Sequence, residues 1–310
     1  MPPTVSIVLP TFNRLHYLRP AVESVFAQTF GDWELLIADD GSSEPTLAYL
    51  RELESSGRVQ LLPLAHSGRT SVVRNAALRT ARGEYVAFLD SDDLWEATKL
   101  EKQIDSLRAH PDRSWSYTGF RMVNASLQPH NRYVRFHPSR GGIVGDVLTF
   151  RTTIVQSSVM LYRSFLERTG LYDERLSLCS DLELWLRCAL LGEADCVDEP
   201  LVWVRRHDEH EGDDVEACQD LNRALELALP ALKTRWSTQL RRQRAIASVT
   251  LARSQAVHGQ RRAALGTLLA SAHYAWIERD WWPGAAGAVA RALAPTVVRR
   301  AARRVLRSRA

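Results

Sequence analysis

The sequence lacks long apolar segments. No run approaches the roughly 18 consecutive apolar residues that a membrane-spanning helix requires. The N-terminus, Met1-Pro2-Pro3, lacks the basic region of a secretory signal. The four cysteines form no C-x-x-C pair, which argues against a zinc site or a disulfide framework. We therefore expect a cytoplasmic protein with reduced thiols.

Acidic residues are scarce near the C-terminus. Residues 241–310 contain fourteen arginines but only two acids, Glu278 and Asp280. The whole chain has a net charge of +4, so residues 1–240 are acidic overall. A basic segment on an acidic body indicates contact with a polyanion, and both nucleic acid and an anionic membrane are candidates.

The pattern of strands and helices divides the chain into two regions. Residues 1–212 alternate between short apolar runs and amphipathic segments, which predicts an α/β fold with a mostly parallel, mixed sheet between helices. Residues 213–310 have helical spacing almost throughout. Within this second region we expect breaks at Pro230, at residues 258–259 and at residues 281–284.

One predicted strand ends in a cluster of carboxylates. The apolar run Tyr85–Leu89 is followed by Asp90-Ser91-Asp92-Asp93, and we expect a helix from there to about Ala109. A strand buried on both faces is typical of a parallel sheet, in which ligands bind beyond the carboxyl ends of the strands. Clustered carboxylates repel one another unless a cation lies between them, and their hard oxygens suit Mg²⁺ or Mn²⁺. The alternative is an exposed acidic turn that caps the next helix.

Two earlier strands also end in polar residues. Val5–Leu9 leads into Pro10-Thr11-Phe12-Asn13, and Trp33–Ala38 leads into Asp39-Asp40-Gly41-Ser42. In a parallel sheet, all three strand ends would open on one edge. Residues 39–42 taken alone are also compatible with a turn followed by a helix cap.

Together these motifs resemble the family 2 glycosyltransferases, which have the Rossmann-like glycosyltransferase A fold. The resemblance extends over roughly residues 4–207 and depends on the order and spacing of the motifs. It implies inverting, metal-dependent transfer of a sugar from a nucleotide-sugar, expected to be a UDP-sugar, to an acceptor hydroxyl. The matching segments are Val5–Asn13, Gln28–Phe30, Leu36–Ser42, Gly68, Arg74-Asn75, Gly83–Tyr85, Asp90–Asp93, Lys99–Gln103 and Asp181–Arg187.

The resemblance implies a nucleotide site at the first two strand ends. Asp40 would accept a hydrogen bond from the uracil N–H, since a carboxylate is purely an acceptor. Arg74 would approach the nucleotide, although it could equally be an ordinary solvated helix charge. The remaining implied positions, beside the base and ribose, are Pro10, Thr11, Asn13 and Asp39.

The acidic strand end would bind the metal, Mn²⁺ or Mg²⁺. The resemblance implies that Asp92 or Asp93 contacts the ion, while Asp90 and Ser91 lie near the ribose or a metal-bound water. His207 follows the last predicted strand, where some family members have a metal-binding histidine. It could equally be an exposed loop residue beside Asp208.

Asp181 is the expected general base, which removes the proton of the acceptor hydroxyl. The family usually has Glu-Asp here, whereas this chain has Ser180-Asp181. The alternative is that either residue only caps the helix. A helix N-terminus would keep Asp181 ionised at some cost in basicity. Glu183 is a secondary candidate on the acceptor side.

The C-terminal tail has the pattern of a basic amphipathic helix. Val298, Ala301 and Val305 share one face, and Arg299, Arg300, Arg303, Arg304 and Arg307 share the other. We expect peripheral contact with the anionic inner face of the cell membrane, which fits a lipid-linked or cell-surface glycan acceptor. The alternative is a helix packed on its own domain with solvated arginines. Nothing resembles a nucleic-acid-binding fold, so no nucleic-acid partner is expected.

Two other kinds of function remain open. A sugar nucleotidyltransferase would need a glycine-rich loop after the first strand, and residues 10–14 contain no glycine. A non-catalytic membrane-associated scaffold could retain the fold without turnover. The retained acids, Asp40, Asp92, Asp93 and Asp181, argue against this reading.

Overall fold

The computed structural model of the protein describes residues 2–129, 136–206, 214–232, 235–274 and 281–293. The chain divides into two compact units, Met1–His207 and Asp208–Ala310. The expected domain boundary after residue 212 stays a prediction, because residues 207–213 lie outside the described residues. The same holds for His207 and for the basic tail from residue 294 onward.

The first unit is built on an eight-stranded mixed sheet in the order β3-β2-β1-β4-β7-β6-β8-β5. Strands β1 to β4 are parallel to one another, whereas β7 pairs antiparallel with β4. The predicted α/β class with a mixed sheet is thus confirmed. The strands are Val5–Thr11 (β1), Trp33–Asp39 (β2), Val59–Pro63 (β3), Tyr85–Phe88 (β4), Leu94–Trp95 (β5), Arg113–Asn124 (β6), Met160–Tyr162 (β7) and Glu193–Arg206 (β8).

Helices flank this sheet where the amphipathic spacing predicts them. The exception is the helix predicted to begin directly after Asp93, which begins later. The predicted helix does not begin there, because Leu94 and Trp95 first pair with β8 as the short strand β5. That pairing joins residues more than a hundred positions apart, so local spacing does not reveal it. The helices are Leu15–Phe26 (α1), Thr46–Ser55 (α2), Thr70–Leu78 (α3), Lys99–Ala109 (α4), Val144–Leu148 (α5), Arg163–Thr169 (α6) and Ser180–Leu191 (α7).

Aromatic packing fixes helix α7 against the sheet. The ring of Trp185 on α7 lies edge-on to Phe88 at the end of β4, with centroids 5.7 Å apart. On its other side Trp185 stacks with Trp115 of β6 at 6.2 Å. Both tryptophans are buried. This packing holds the N-terminus of α7 beside the strand that leads into the acidic residues.

The second unit contains four helices within its described residues: Asp214–Leu232 (α8), Ser237–Val257 (α9), Arg261–Ser271 (α10) and Trp281–Leu293 (α11). The break predicted at residues 258–259 is present, and Gly259 has a φ of +82°. Pro230 lies inside α8, near its end. The break expected at residues 281–284 is wrong, because α11 begins there. Pro283 occupies its first turn, where a missing N–H costs no helical hydrogen bond.

The described helices include none that is long and apolar enough to cross a membrane.

One charged side chain is enclosed in the first unit. Lys99, the first residue of α4, is 0% exposed, and its Nζ has no hydrogen-bond partner among the described residues. The Nζ lies 3.8 Å from the centroid of the Trp95 ring. Burial lowers the pKa of the ammonium well below its usual value. The folded state therefore binds the lysine proton less tightly than the unfolded state does.

We expect Lys99→Met to stabilise the protein by about 1–3 kcal/mol near neutral pH, since it removes an unpaired buried polar group. In the wild type, the unfolded state binds more protons than the folded state below the ordinary lysine pKa, so stability rises as the pH increases. The gain from the substitution should therefore shrink towards pH ~10. Urea unfolding of the wild type and the variant, near neutral pH and at pH ~10, measures this gain in the free energy of unfolding.

The matched control is Lys102→Met on the same helix, where the lysine is partly exposed and pairs with Glu199. It should change the free energy of unfolding by no more than about 0.5 kcal/mol. A Lys99→Met protein that is less stable than the wild type near neutral pH would show that the buried amine is stabilising.

Candidate active site

The carboxyl ends of β1, β2 and β4 meet at one edge of the sheet, as the sequence predicts. Thr11 lies opposite Asp39 in the register of β1 and β2, and the Asp40 N–H donates to the Thr11 carbonyl at 2.9 Å. On the other side, the Leu89 N–H donates to the Val8 carbonyl at 3.0 Å. The polar residues that follow these strands are therefore neighbours.

Asp40 anchors the loop that follows β3. Its carboxylate accepts hydrogen bonds from the backbone N–H groups of Ser67 (2.8 Å) and Gly68 (2.9 Å). His66 Nδ1 lies 3.0 Å from Asp40 Oδ2. The Ser67 hydroxyl also donates to Asp40 Oδ1 at 2.8 Å, so these groups match the roughly four acceptor positions that a carboxylate offers. The role of Asp40 in base recognition stays a prediction.

Two buried polar atoms beside Asp40 lack partners. Asp39 Oδ2 accepts the Ser42 N–H at 2.9 Å, but Oδ1 has no hydrogen-bond partner among the described residues. The same is true of Thr11 Oγ1, on the residue opposite Asp39. A buried unsatisfied polar atom costs about 1–3 kcal/mol. A ligand that hydrogen-bonds to these atoms would remove that cost.

Asn13 holds the first two strand ends together. Its backbone has a φ of +50°, a conformation that asparagine tolerates better than most residues. Its N–H donates to Ser42 Oγ, and its side-chain oxygen accepts the Ser43 N–H, both at 2.8 Å. Asn13 therefore shapes the edge. Pro10 is buried within β1, opposite Ala38.

An aromatic pair at this edge was not predicted from the sequence. The rings of Phe12 and His66 stack with centroids 4.2 Å apart, and Phe12 is 39% exposed. Exposed aromatic faces can stack against a planar ring such as a base. The only local signal is an apolar residue between Thr11 and Asn13. The partner His66 comes from a loop far away in sequence.

The acidic turn, which we define as Asp90–Asp93, is paired with arginines. Arg74 Nη2 lies 2.6 Å from Asp90 Oδ1, and Arg14 Nη1 lies 2.6 Å from Asp92 Oδ2. Arg74 is only 7% exposed, so the alternative of a solvated helix charge is wrong. Burial works against the guanidinium, but Asp90, together with Tyr172 and Asp181, outweighs it and raises the pKa of Arg74. Arg74 therefore stays charged.

The last acid of the turn is held by hydrogen bonds. Asp93 accepts the hydroxyl of Ser157 at 2.6 Å and the backbone N–H of Arg205 at 3.0 Å. Burial, with the charges of Asp92 and Asp90, raises the pKa of Asp93 well above its usual value. Ser91 is buried within the turn. The turn thus concentrates negative charge that the two arginines only partly offset.

Asp181 lies at the N-terminus of α7 and is sensitive to the charges of the acidic turn. Burial raises the pKa of its carboxyl, the positive charge of Arg74 lowers it, and the negative charge of Asp90 raises it. The Leu182 N–H donates to Asp181 Oδ1 at 2.7 Å. The expected loss of basicity is therefore wrong, because desolvation of the carboxylate exceeds the effect of the helix terminus.

Glu183 has a different role from Asp181. Both of its oxygens accept hydrogen bonds from Arg187, at 2.7 and 2.6 Å. Arg187 in turn donates to the carbonyls of Thr169 and Leu171. This ion pair fixes the segment between α6 and α7. It therefore does not support Glu183 as an acceptor-binding residue.

The profile described as Glycosyl transferase family 2 matches residues 6–166 of the chain. This chain belongs to that family. The resemblance seen in its motifs is thus confirmed, and the protein is a glycosyltransferase.

Named relatives agree with this assignment. The glycosyltransferase TuaG of Bacillus subtilis, named for teichuronic acid biosynthesis, is 33% identical over 186 residues, which cover 59% of this chain and 71% of TuaG. The Escherichia coli enzyme WfgD, a UDP-Glc:alpha-D-GlcNAc-diphosphoundecaprenol beta-1,3-glucosyltransferase, is 40% identical over 120 residues. That match covers 39% of this chain and 47% of WfgD.

Solved structures share the fold. Staphylococcus aureus TarS 1–349 in complex with UDP-GlcNAc superposes with a TM-score of 0.64 at 16% identity, covering 81% of this chain and 72% of TarS. The mannosyltransferase PcManGT of Pyrobaculum calidifontis, in complex with GDP-Man and Mn²⁺, gives 0.60 at 19% identity. That superposition covers 94% of this chain and 87% of PcManGT. The predicted glycosyltransferase A architecture is thus confirmed.

The acidic turn of this glycosyltransferase supplies ligands that suit a divalent cation. Its carboxylate oxygens are the donors that Mg²⁺ and Mn²⁺ prefer, and a cation would relieve the repulsion that raises the pKa of Asp93. Among the described residues, no group of three or more His, Cys, Asp or Glu side chains is arranged to hold a metal by itself. Mg²⁺ is commonly held by one or two carboxylates together with phosphate oxygens of a substrate, and the turn offers carboxylates of that kind.

The charge of Arg74 should control the acidity of Asp181. We expect Arg74→Met to raise the pKa of the Asp181 carboxyl, because a positive charge that favours its ionised form is lost. A titration of the carboxyl carbon by ¹³C NMR measures this, with the spectrum of Asp181→Asn providing the assignment.

Arg74→Lys is the matched control, since it retains the charge and should leave the Asp181 midpoint near the wild-type value. An identical midpoint in wild type and Arg74→Met would contradict electrostatic coupling between the two residues.

Proposed function

We propose that this glycosyltransferase moves a sugar from a UDP-sugar to a hydroxyl of a lipid-linked or cell-surface glycan, with inversion at the anomeric carbon. One observation carries the proposal. Asp40 and the acidic turn lie at one sheet edge, and Asp181 on α7 is within electrostatic reach of Asp90 and Arg74. We assign base recognition to Asp40, diphosphate binding to the acidic turn and proton acceptance to Asp181. The alternative of a nucleotidyltransferase has no observation in its favour.

The nucleotide would bind across the ends of β1 and β2. Phe12, stacked on His66, offers a face for the base. The orphaned atoms Thr11 Oγ1 and Asp39 Oδ1 would gain hydrogen bonds from polar groups of the ligand. Asp40 remains the acceptor that we propose for the ring N–H, with Pro10 and Asn13 shaping the wall beside it.

The diphosphate would bind at the acidic turn together with Mn²⁺ or Mg²⁺. Asp92 or Asp93 would be the direct ligand, and both already have partners, since Asp92 pairs with Arg14 and Asp93 accepts hydrogen bonds from Ser157 and Arg205. Asp90 and Ser91 would contact the ribose or a water. A bound cation would offset the negative charge that develops on the leaving nucleoside diphosphate. His207 remains a proposal from the sequence alone.

Asp181 would act as the general base in a single displacement. The acceptor oxygen attacks the anomeric carbon as Asp181 takes its proton, and the bond to the diphosphate breaks on the opposite face. Burial raises the pKa of Asp181, which makes its carboxylate a stronger base than an exposed aspartate. The acceptor proposal rests on TuaG and WfgD, whose names specify teichuronic acid biosynthesis and a diphosphoundecaprenol-linked sugar.

The assay follows nucleoside diphosphate release with Mn²⁺, a panel of nucleotide-sugars and diphosphoundecaprenol-linked acceptors. Asp181→Asn should lower kcat by about 10²–10⁴-fold, because the general base is lost while donor binding is retained. In the wild type, kcat/KM should fall as the pH drops through the raised pKa of Asp181, since only the ionised carboxyl accepts a proton.

The matched control is Asp173→Asn, which removes an acid paired with Arg175 in the segment before α7. Its kcat should stay near that of the wild type. No release with any donor, combined with no nucleotide binding by calorimetry, would favour the non-catalytic scaffold.

The basic tail would associate with the inner face of the cell membrane, which would bring the enzyme to a lipid-linked acceptor in the cytoplasm. This proposal rests on the arginine stripe of residues 299–307, which lies outside the described residues. Replacing its five arginines by glutamine should abolish sedimentation with anionic vesicles, since each basic residue near such a surface contributes about 1 kcal/mol.

The control replaces Arg261 and Arg262, exposed at the start of α10, and should leave sedimentation unchanged. Equal binding of the tail variant and the wild type would reject the tail as the anchor.

A further inference from the structure

Ser157 contacts both ends of the acidic turn. It lies in a single 3-10 turn, Gln156–Ser158, that leads into β7. Because β7 runs antiparallel to β4, the residues before β7 lie at the sheet edge where β4 ends. This topology brings Ser157 next to Asp90 and Asp93 although it is more than sixty residues away in sequence.

The hydroxyl of Ser157 both accepts and donates a hydrogen bond. It accepts the backbone N–H of Asp90 at 3.0 Å and donates to Asp93 Oδ2 at 2.6 Å. The turn is also closed by its own backbone, since the Asp93 N–H donates to the Asp90 carbonyl at 3.0 Å. A single side chain thus spans the first and last residues of the turn that carries Asp92.

The backbone of Ser157 adds a third connection. Its carbonyl accepts the indole N–H of Trp95 at 2.8 Å. Ser157 is 0% exposed, so water does not compete for these bonds. The other oxygen of Asp93 accepts the N–H of Arg205 on β8. The turn is therefore held from two sides, by Ser157 before β7 and by the backbone of β8.

We propose that Ser157 is a positioning residue, whose hydroxyl sets the conformation of the acidic turn and thereby its affinity for a divalent cation in the presence of a nucleoside diphosphate. This inference rests on the proposed function of the turn. The physical reason is that a carboxylate binds a cation well only if its orientation is fixed in advance. Groups that orient metal ligands typically contribute 10- to 100-fold in affinity or activity.

The neighbouring Ser158 provides a matched control. It is equally buried, but its hydroxyl donates to the Val155 carbonyl at 2.7 Å within the same 3-10 turn. A substitution there changes the same volume in the same segment without touching the acidic turn. A loss at Ser157 that is absent at Ser158 therefore reports the hydroxyl contact to Asp90 and Asp93.

The experiment measures binding of Mn²⁺ by electron paramagnetic resonance with UDP present, and binding of UDP by calorimetry with EDTA present. Ser157→Ala should weaken Mn²⁺ binding by about 10- to 100-fold. Its metal-free binding of UDP should weaken far less than its binding of Mn²⁺, because the contacts that we propose for the base, at Phe12 and Asp40, do not involve the turn. Ser158→Ala should behave as the wild type in both measurements.

Ser157→Cys guards against a folding defect in the alanine variant. It fills the same space with a thiol that is only a weak donor, so it should also lose Mn²⁺ affinity. Circular dichroism and thermal unfolding verify that each variant is folded. Wild-type Mn²⁺ affinity in a folded Ser157→Ala or Ser157→Cys protein would overturn the proposal. If the wild-type protein binds UDP but not Mn²⁺, both the positioning role of Ser157 and the proposed metal role are overturned. If the wild-type protein binds neither, the proposed function is overturned as well.

Discussion

The repulsion among the carboxylates of the acidic turn is the constraint on which the rest of this sheet edge depends. Three aspartates within four residues would destabilise the fold unless their charges were offset. Arg74 and Arg14 offset two of them. Arg14 follows the neighbouring strand β1, and Arg74 lies on helix α3, which precedes β4. Hydrogen bonds from Ser157 and Arg205 hold the third, Asp93. The turn is therefore stable only in the context of the complete sheet.

This arrangement also connects the acidic turn to the proposed base. Arg74 pairs with Asp90 and at the same time lowers the pKa of Asp181, so one buried guanidinium acts on both groups. Trp185 packs α7 against Phe88 and thereby holds Asp181, at the N-terminus of α7, near the turn. Burial nevertheless raises the pKa of Asp181, which suits proton acceptance. The electrostatics of the acidic turn and of Asp181 are thus coupled through Arg74.

The family could be predicted because the ordered motifs of the chain resemble those of family 2 glycosyltransferases. Most of the first unit could be predicted because alternating apolar runs and amphipathic segments are typical of an α/β sheet. The predictions failed where long-range pairing or desolvation dominates. Strand β5 forms against β8 rather than as part of a helix. Asp181 gains basicity rather than losing it, because the burial of a carboxyl cannot be read from its neighbours in sequence.

The sequence by itself determined the α/β class, the family and the acids at the three strand ends, because these depend on hydrophobic periodicity and on local motifs. Only the tertiary structure decided the partners of those acids. His66 and Ser157 reach the sheet edge from segments that the sequence pattern does not place there, and the pairing of Arg14 with Asp92 likewise depends on proximity in space. The tertiary structure thus decides the orientation and acidity of the carboxylates whose presence the sequence predicts.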